Sequence, residues 1–181
     1  MSNKKPKIIL ISGKAESGKD TVASFICNEI LEQDKIKSAV IVHYADYLKY
    51  ICQKYYEWDG SKSTFGRSLL QNVGAIARKE DPLFWVQTVS RLVSTIFFKE
   101  DFIIIPDARF FNEIAHWITL DYEVITIRVE RSGHENILTE KQRQHSSEVE
   151  LDNYDFDVYI ENTDLCSLRE NCQKFVEDIL C

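Results

Sequence analysis

Proline and glycine are scarce in this chain, with three prolines and six glycines among 181 residues. That leaves little room for low-complexity linkers, and the length suits one domain, residues 1–181, with a sizeable core. The five cysteines, Cys27, Cys52, Cys166, Cys172 and Cys181, are scattered, odd in number and free of any C-x-x-C pair. This argues against a disulfide framework or a zinc site and points to reduced thiols in a cytoplasmic protein. His43, His116, His134 and His145 lack a metal spacing such as H-E-x-x-H. No stretch approaches the ~18 apolar residues of a membrane span, and the apolar run at 8–11, behind a basic start at 1–7, is too short for a signal peptide. Positive charge is also short. The formal net charge of −7 disfavours nucleic acid and anionic membrane as partners. Small anions remain, because a local group of Lys, Arg and backbone N–H can override the global field.

What is present alternates in period. Residues 8–12 form a short apolar run ending at Gly13, as a buried strand feeding a glycine loop would. From Lys19, the spacing of Val22, Phe25, Ile26 and Ile30 predicts a helix to Gln33, and 39–43 is a second β-branched strand. That is a βαβ unit, which implies a parallel sheet. Helices are expected over 47–56, 64–79 and 82–98, a strand at 102–105, a helix at 111–120 and a strand at 123–129. The polar stretch 130–153 follows, then a strand at 156–160 and a helix at 165–180. Alternating strands and helices give an α/β fold, an open parallel sheet with helices on both faces.

Gly13-Lys14-Ala15-Glu16-Ser17-Gly18-Lys19 matches G-x-x-x-x-G-K in the required context, strand before and helix after. Its glycines let successive backbone N–H groups turn toward a polyphosphate, and the helix dipole and the Lys19 ammonium add charge. Gly13, Lys14, Ser17, Gly18, Lys19, Asp20 and Thr21 are therefore the expected nucleotide-binding set. Asp20 stands where such loops usually place a Mg²⁺-ligating Ser or Thr. Either Asp20 or Thr21 is expected to serve the metal.

Five blocks, in order, resemble the phage-type deoxynucleoside monophosphate kinases of the nucleoside monophosphate kinase family. They are the S-G-K-D-T loop ending, Leu70-Gln71-Asn72-Val73-Gly74 with Trp85-Val86, Pro106-Asp107-Ala108-Arg109 with Glu113, His145-Ser146-Ser147-Glu148, and Ile160-Glu161-Asn162. The resemblance implies a three-layer P-loop fold with a helical acceptor-binding insertion over about 44–98 and a short lid over about 130–153. It implies ATP and Mg²⁺ as cofactors and transfer of the γ-phosphoryl group to a nucleoside monophosphate by a monomer or homodimer. Asp46, Lys49, Arg67, Gln71, Arg78, Trp85, Asp107, Arg109 and Glu113 fall in or near its acceptor blocks, and His145 and Glu148 are placed with them. Glu16 departs from the family's often basic residue there, so that side chain is not expected on phosphate.

Physical chemistry reaches much of the same set. Guanidinium groups bind phosphate bidentately, which suits Arg67, Arg78 and Arg109. Arg109 stands out because it follows a strand's carboxyl end, where open sheets bind ligands. The plain alternative is an ion pair with Glu113 one turn on. Asp107 resembles a Walker-B-type acid for Mg²⁺, with helix capping as its alternative. Asp46 reads as a nucleoside contact, a base for a hydroxyl acceptor, or a cap. Trp85 offers a stacking surface. Arg131, Lys141, Arg143 and His145 make 130–153 a basic lid, with Arg131 on the transferred phosphate. The alternative there is a solvated loop in which Ser147 and Glu150 cap a helix. Other acceptors stay open. Animal phosphomevalonate kinases have a similar loop, dephospho-coenzyme A kinases take a hydroxyl acceptor, and a non-catalytic nucleotide-binding module is the remaining class.

Overall fold

The computed structural model describes residues 5–61, 63–131 and 138–180. His134, Cys181, residues 1–4 and part of the expected lid, 132–137, lie outside the described residues. Five strands and eight helices are described, in the order β1 (Lys7–Ser12), α1 (Lys19–Gln33), β2 (Ala39–Ile41), α2 (Ala45–Tyr55), α3 (Thr64–Glu80), α4 (Phe84–Thr95), β3 (Phe102–Ile105), α5 (Phe111–Thr119), β4 (Val124–Glu130), α6 (Glu140–Arg143), α7 (Ser146–Val149), β5 (Val158–Glu161) and α8 (Leu165–Leu180).

The strands form one all-parallel sheet in the order β2-β3-β1-β4-β5. β1 is central, pairing Ile8–Leu10 with Ile103–Ile105 on one side and with Val124–Thr126 on the other. Ile8 to Ile11 are all buried, as a strand covered on both faces requires. Alternation then sorts them. Ile9 and Ile11 pack with Val22, Ile26 and Ile30 of α1 and with Leu168 and Val176 of α8. Ile8 and Leu10 pack with Val86 and Val89 of α4 and with Ile114 and Trp117 of α5. Helix, sheet and helix thus form the three layers, and each such buried aliphatic contributes roughly 1.5–3 kcal/mol. A third, smaller core of Leu48, Cys52, Trp58 and Trp85 joins α2, α3 and α4. Gly66 is needed beneath it, since a Cβ there would stand 2.5 Å from Trp58 Nε1 and 2.4 Å from Ser61 O.

The chain leaves β1 for the outer β2, returns to β3, then crosses to β4. The direction of winding reverses between β3 and β1, so the loops leaving their carboxyl ends diverge and open a crevice. Those loops are 13–18 and 106–110.

Some boundaries differ from the sequence expectation. β2 stops at Ile41 instead of residue 43, although the Val42 N–H still donates to Ile104 O (3.0 Å). The chain then turns early into α2, because Asp107 accepts the Tyr44 and Ala45 N–H groups (3.0 and 2.9 Å). α4 begins at Phe84, not residue 82, since Asp81 forms a turn, accepting the Leu83 N–H on its side chain (2.9 Å) and the Phe84 N–H on its carbonyl (3.0 Å). The stretch 138–153 carries α6 and α7 in place of a plain loop. His145, not Ser147, caps α7, and Glu150 instead accepts the Phe111 N–H (3.0 Å).

Candidate functional site

The loop between β1 and α1 is held in its curl from several sides. A Cβ at Gly13 would stand 2.5 Å from Val129 O, and one at Gly18, with φ 99°, would stand 2.5 Å from Asn162 Nδ2. Asn162, at the end of β5, donates to Ser17 O (2.8 Å). Its place was visible only as part of the last sequence block, with no role attached. Glu16 has φ 66°, a left-handed backbone that typically costs a non-glycine residue about 1 kcal/mol or more.

Lys19 is buried, and its Nζ donates to Gly13 O (2.9 Å) and Lys14 O (2.7 Å). Burial, with Arg109 nearby, lowers its pKa to about 7. Lys14 does not point into the loop. Its ammonium bonds Glu148 O and Asp152 (each 2.6 Å), and Arg128 also holds Asp152 (3.0 Å). Thr21 is half-buried on α1 and does not line the cavity, whereas Asp20 does.

The cavity at the sheet's carboxyl edge has a volume of about 330 Å³, within the range of small-molecule sites. Its loop side carries Lys19 and Asp20, and its strand side carries Asp107, Arg109 and Glu113. Its far wall is one face of α3, where Arg67, Leu70, Gln71 and Arg78 recur at helical spacing, with Trp85 and Lys49 beside them. His145, Ser147 and Glu148 close it from the strap that bears α6 and α7. Arg131 reaches over the loop, donating to Glu16 O (3.2 Å). Asp46 is not brought in. It is exposed outside the lining, paired with Lys49 (3.2 Å) and with His43 Nδ1 (3.4 Å).

The three guanidinium groups differ in their partners. Arg67 pairs with Glu16 (2.8 Å). Arg109 pairs with Glu148 and donates to Ser147 O (2.8 Å). The sequence alternative for Arg109 is therefore half right. It is ion-paired, but with Glu148, while Glu113 takes its backbone N–H (2.7 Å). Arg78 forms no hydrogen bond or ion pair among the described residues; its guanidinium lies over the Phe110 ring at 4.0 Å. Burial lowers its pKa. A half-buried guanidinium without an acceptor is a costly arrangement that an anion would relieve.

One further group escaped the sequence, and a second has contacts the sequence did not show. His43 bridges Asp20 (3.4 Å) and Asp46; the hydrogen bond to Asp20 raises its pKa. Glu148 is almost wholly buried and accepts the Ala15 N–H (3.1 Å), which binds the strap to the phosphate loop. The sequence placed Glu148 among substrate contacts but gave no sign of this.

Glu113 is buried on the strand side, and loss of water raises its pKa to about 8 despite two backbone N–H donors and nearby Arg78. Below about pH 4.5 the carboxyl is protonated in both folded and unfolded chains. Between 4.5 and about 8 only the folded chain keeps the proton, so this group's stabilisation is lost as pH rises through that window, on the order of 1 kcal/mol per unit. Urea unfolding of wild type and Glu113→Gln should diverge in pH slope between pH 5 and 8 and run parallel above it. Equal slopes would mean that Glu113 is ionised in the folded protein.

The donor set suits a polyphosphate. Lys19 is a buried ammonium bonded only to carbonyls among the described residues, at the end of a loop whose Gly13 and Gly18 leave no room for a Cβ. Asp20 and Asp107 supply the hard oxygens that Mg²⁺ prefers. Among the described residues no three His, Cys, Asp or Glu side chains converge on one point, and Mg²⁺ in nucleotide sites is typically held by one or two carboxylates together with phosphate.

No protein-family model matches the sequence, and no curated protein matches it. Among solved structures the fold is similar to an APS kinase of Mycobacterium tuberculosis, solved with AMPPNP and APS. The TM-score is 0.54 at 13% identity, covering 98% of this chain and 99% of that one. It is likewise similar to thymidylate kinases of Ehrlichia chaffeensis (TM-score 0.55, 11% identity, 98% and 100% covered) and Candida albicans (0.54, 11%, 97% and 93%). The chain has the three-layer α/β fold of these kinases. No helix among the described residues is long and apolar enough to cross a membrane.

Proposed function

We propose that the protein transfers the γ-phosphoryl group of ATP to a nucleoside monophosphate, with deoxynucleoside monophosphates as the preferred acceptors. One observation carries the reading. A single cavity joins the phosphate loop and its Lys19 to a half-buried guanidinium, Arg78, that forms no hydrogen bond or ion pair among the described residues. A protein that only binds nucleotide has no need of that second cation. The deoxynucleoside preference rests on the resemblance of the five sequence blocks, and the phosphoryl-transfer class is supported by the kinase fold.

In this reading the 13–21 loop cradles the donor phosphates through its N–H groups, and Lys19 neutralises the charge they carry. Arg78 and Arg109 hold the acceptor phosphate, Trp85, Leu70 and Gln71 border the nucleoside, and Arg131 covers the transferred group. Asp20 and Asp107 would hold Mg²⁺, which when bound offsets charge on the phosphate oxygens. A phosphate acceptor is already mostly dianionic near pH 7 and needs no general base. The exposure of Asp46, outside the cavity lining, agrees with that and disfavours a hydroxyl acceptor.

A coupled assay with ATP and Mg²⁺ against deoxynucleoside monophosphates, nucleoside monophosphates and phosphomevalonate tests the reading. A deoxynucleoside monophosphate is expected to give the highest kcat/KM. Turnover of phosphomevalonate alone would move the assignment to that class, and turnover of none would refute kinase activity on a phosphate acceptor.

A further inference from the structure

The phosphate loop contains an acidic residue where the anion-binding role calls for neutrality or positive charge. Glu16 adopts φ 66°, a conformation that suits glycine, yet it carries a long side chain. Its carboxylate crosses the cavity mouth to Arg67 Nη2 at 2.8 Å, and both groups are mostly shielded from solvent, with side-chain exposures of 29% and 17%. Arg67 is the first inward residue of α3, the wall that also carries Gln71 and Arg78. Gln142 Nε2 also ties the wall's amino-terminal end, donating to Thr64 O (3.2 Å) and Ser68 Oγ (3.3 Å).

We propose that Glu16 is a positioning residue: its carboxylate fixes Arg67 and the start of α3 against the phosphate loop, so that the acceptor wall is set before a phosphate monoester arrives. The inference deepens the kinase reading and rests on it for the identity of the acceptor. The contact with Glu16 orders the flexible Arg67 side chain at the cavity wall beforehand, which lowers the entropic cost of binding. The pair also registers the acceptor wall on the donor loop, a requirement for in-line transfer.

The test uses the full chain with Glu16→Gln, Glu16→Gly and Arg67→Gln, measuring Kd for each deoxynucleoside monophosphate by titration and then KM and kcat. Glu16→Gln should raise acceptor Kd and KM about tenfold, the effect of one charge-assisted contact, with kcat within about threefold. Glu16→Gly relieves the left-handed backbone. It should keep or raise Tm while raising acceptor KM as much, a split that a merely structural residue would not produce. The Glu16→Gln, Arg67→Gln double variant should be no worse than Arg67→Gln alone. Unchanged or tighter acceptor binding in both Glu16 variants would overturn the inference, because Glu16 would then be idle or a competitor for Arg67. If wild type binds no monophosphate, the inference and the kinase reading both fall. If wild type binds one and does not phosphorylate it, only the kinase reading falls, and the Kd comparison still decides the role of Glu16.

Discussion

Lys19→Ala is expected to lower kcat/KM by about 10³-fold or more while the protein still folds. The size follows from what the residue does: a preorganised cation at developing phosphate charge is worth several kcal/mol. Folding should survive because Lys19 makes no ion pair among the described residues and its hydrogen bonds go to two loop carbonyls. Lys19→Met, which retains most of the apolar stem, should show the same loss with a Tm close to wild type. The lowered pKa of about 7 adds a second readout. An acceptor-free nucleotide titration should weaken as pH rises above 7, because the free site loses the ammonium's proton and phosphate binding must restore it. That pH dependence should vanish in Lys19→Met. Near-normal turnover in either variant would remove the loop as the catalytic centre.

Arg78→Ala is expected to raise acceptor KM by about 10²-fold with Tm unchanged or slightly higher. Its guanidinium forms no ion pair among the described residues, so its removal breaks none and relieves a desolvated cation, an effect set against the loss of a nearby positive charge from Glu113, Glu150 and Asp107. Arg109 contrasts with it. Arg109→Ala strands the buried Glu148 carboxylate, which among the described residues keeps only the Ala15 N–H as a donor. That should cost about 2 kcal/mol and lower Tm by several degrees. Arg109→Lys keeps the charge but loses the fork, raising acceptor KM and lowering kcat. Asp46→Asn should leave kcat within about tenfold, below the 10²–10⁴ loss usual for a general base. A collapse of kcat in Asp46→Asn with Arg78→Ala nearly silent would point to a hydroxyl acceptor and sink the monophosphate assignment.

The sequence by itself determined the α/β class, the strand feeding the loop, the loop's position and the helical run that walls the cavity. These were legible because they are local. A buried parallel strand is a continuous apolar run, a helix repeats every 3.6 residues, and the phosphate loop is written in adjacent residues. It also supplied most cavity residues, since Arg67, Gln71 and Arg78 share one helical face and Asp107 and Arg109 follow one strand. Tertiary structure decided which partner each charged side chain met. Nothing in the spacing of Arg109 and Glu113 reveals that Arg109 pairs with Glu148, that Arg67 reaches back to Glu16, or that Lys14 turns to Asp152. Nor does it reveal that Asp46 remains outside the lining while the distant His43 and Asp20 meet. The reason is physical. Periodicity records which face of an element is buried, whereas an ion pair depends on the register and approach of two elements far apart in the chain, which are set by how the whole core packs. Arg78 shows the difference most sharply: its position on the wall is written in the helix, but that it lies over the Phe110 ring and meets no ion-pair partner among the described residues is a property of the assembled cavity alone.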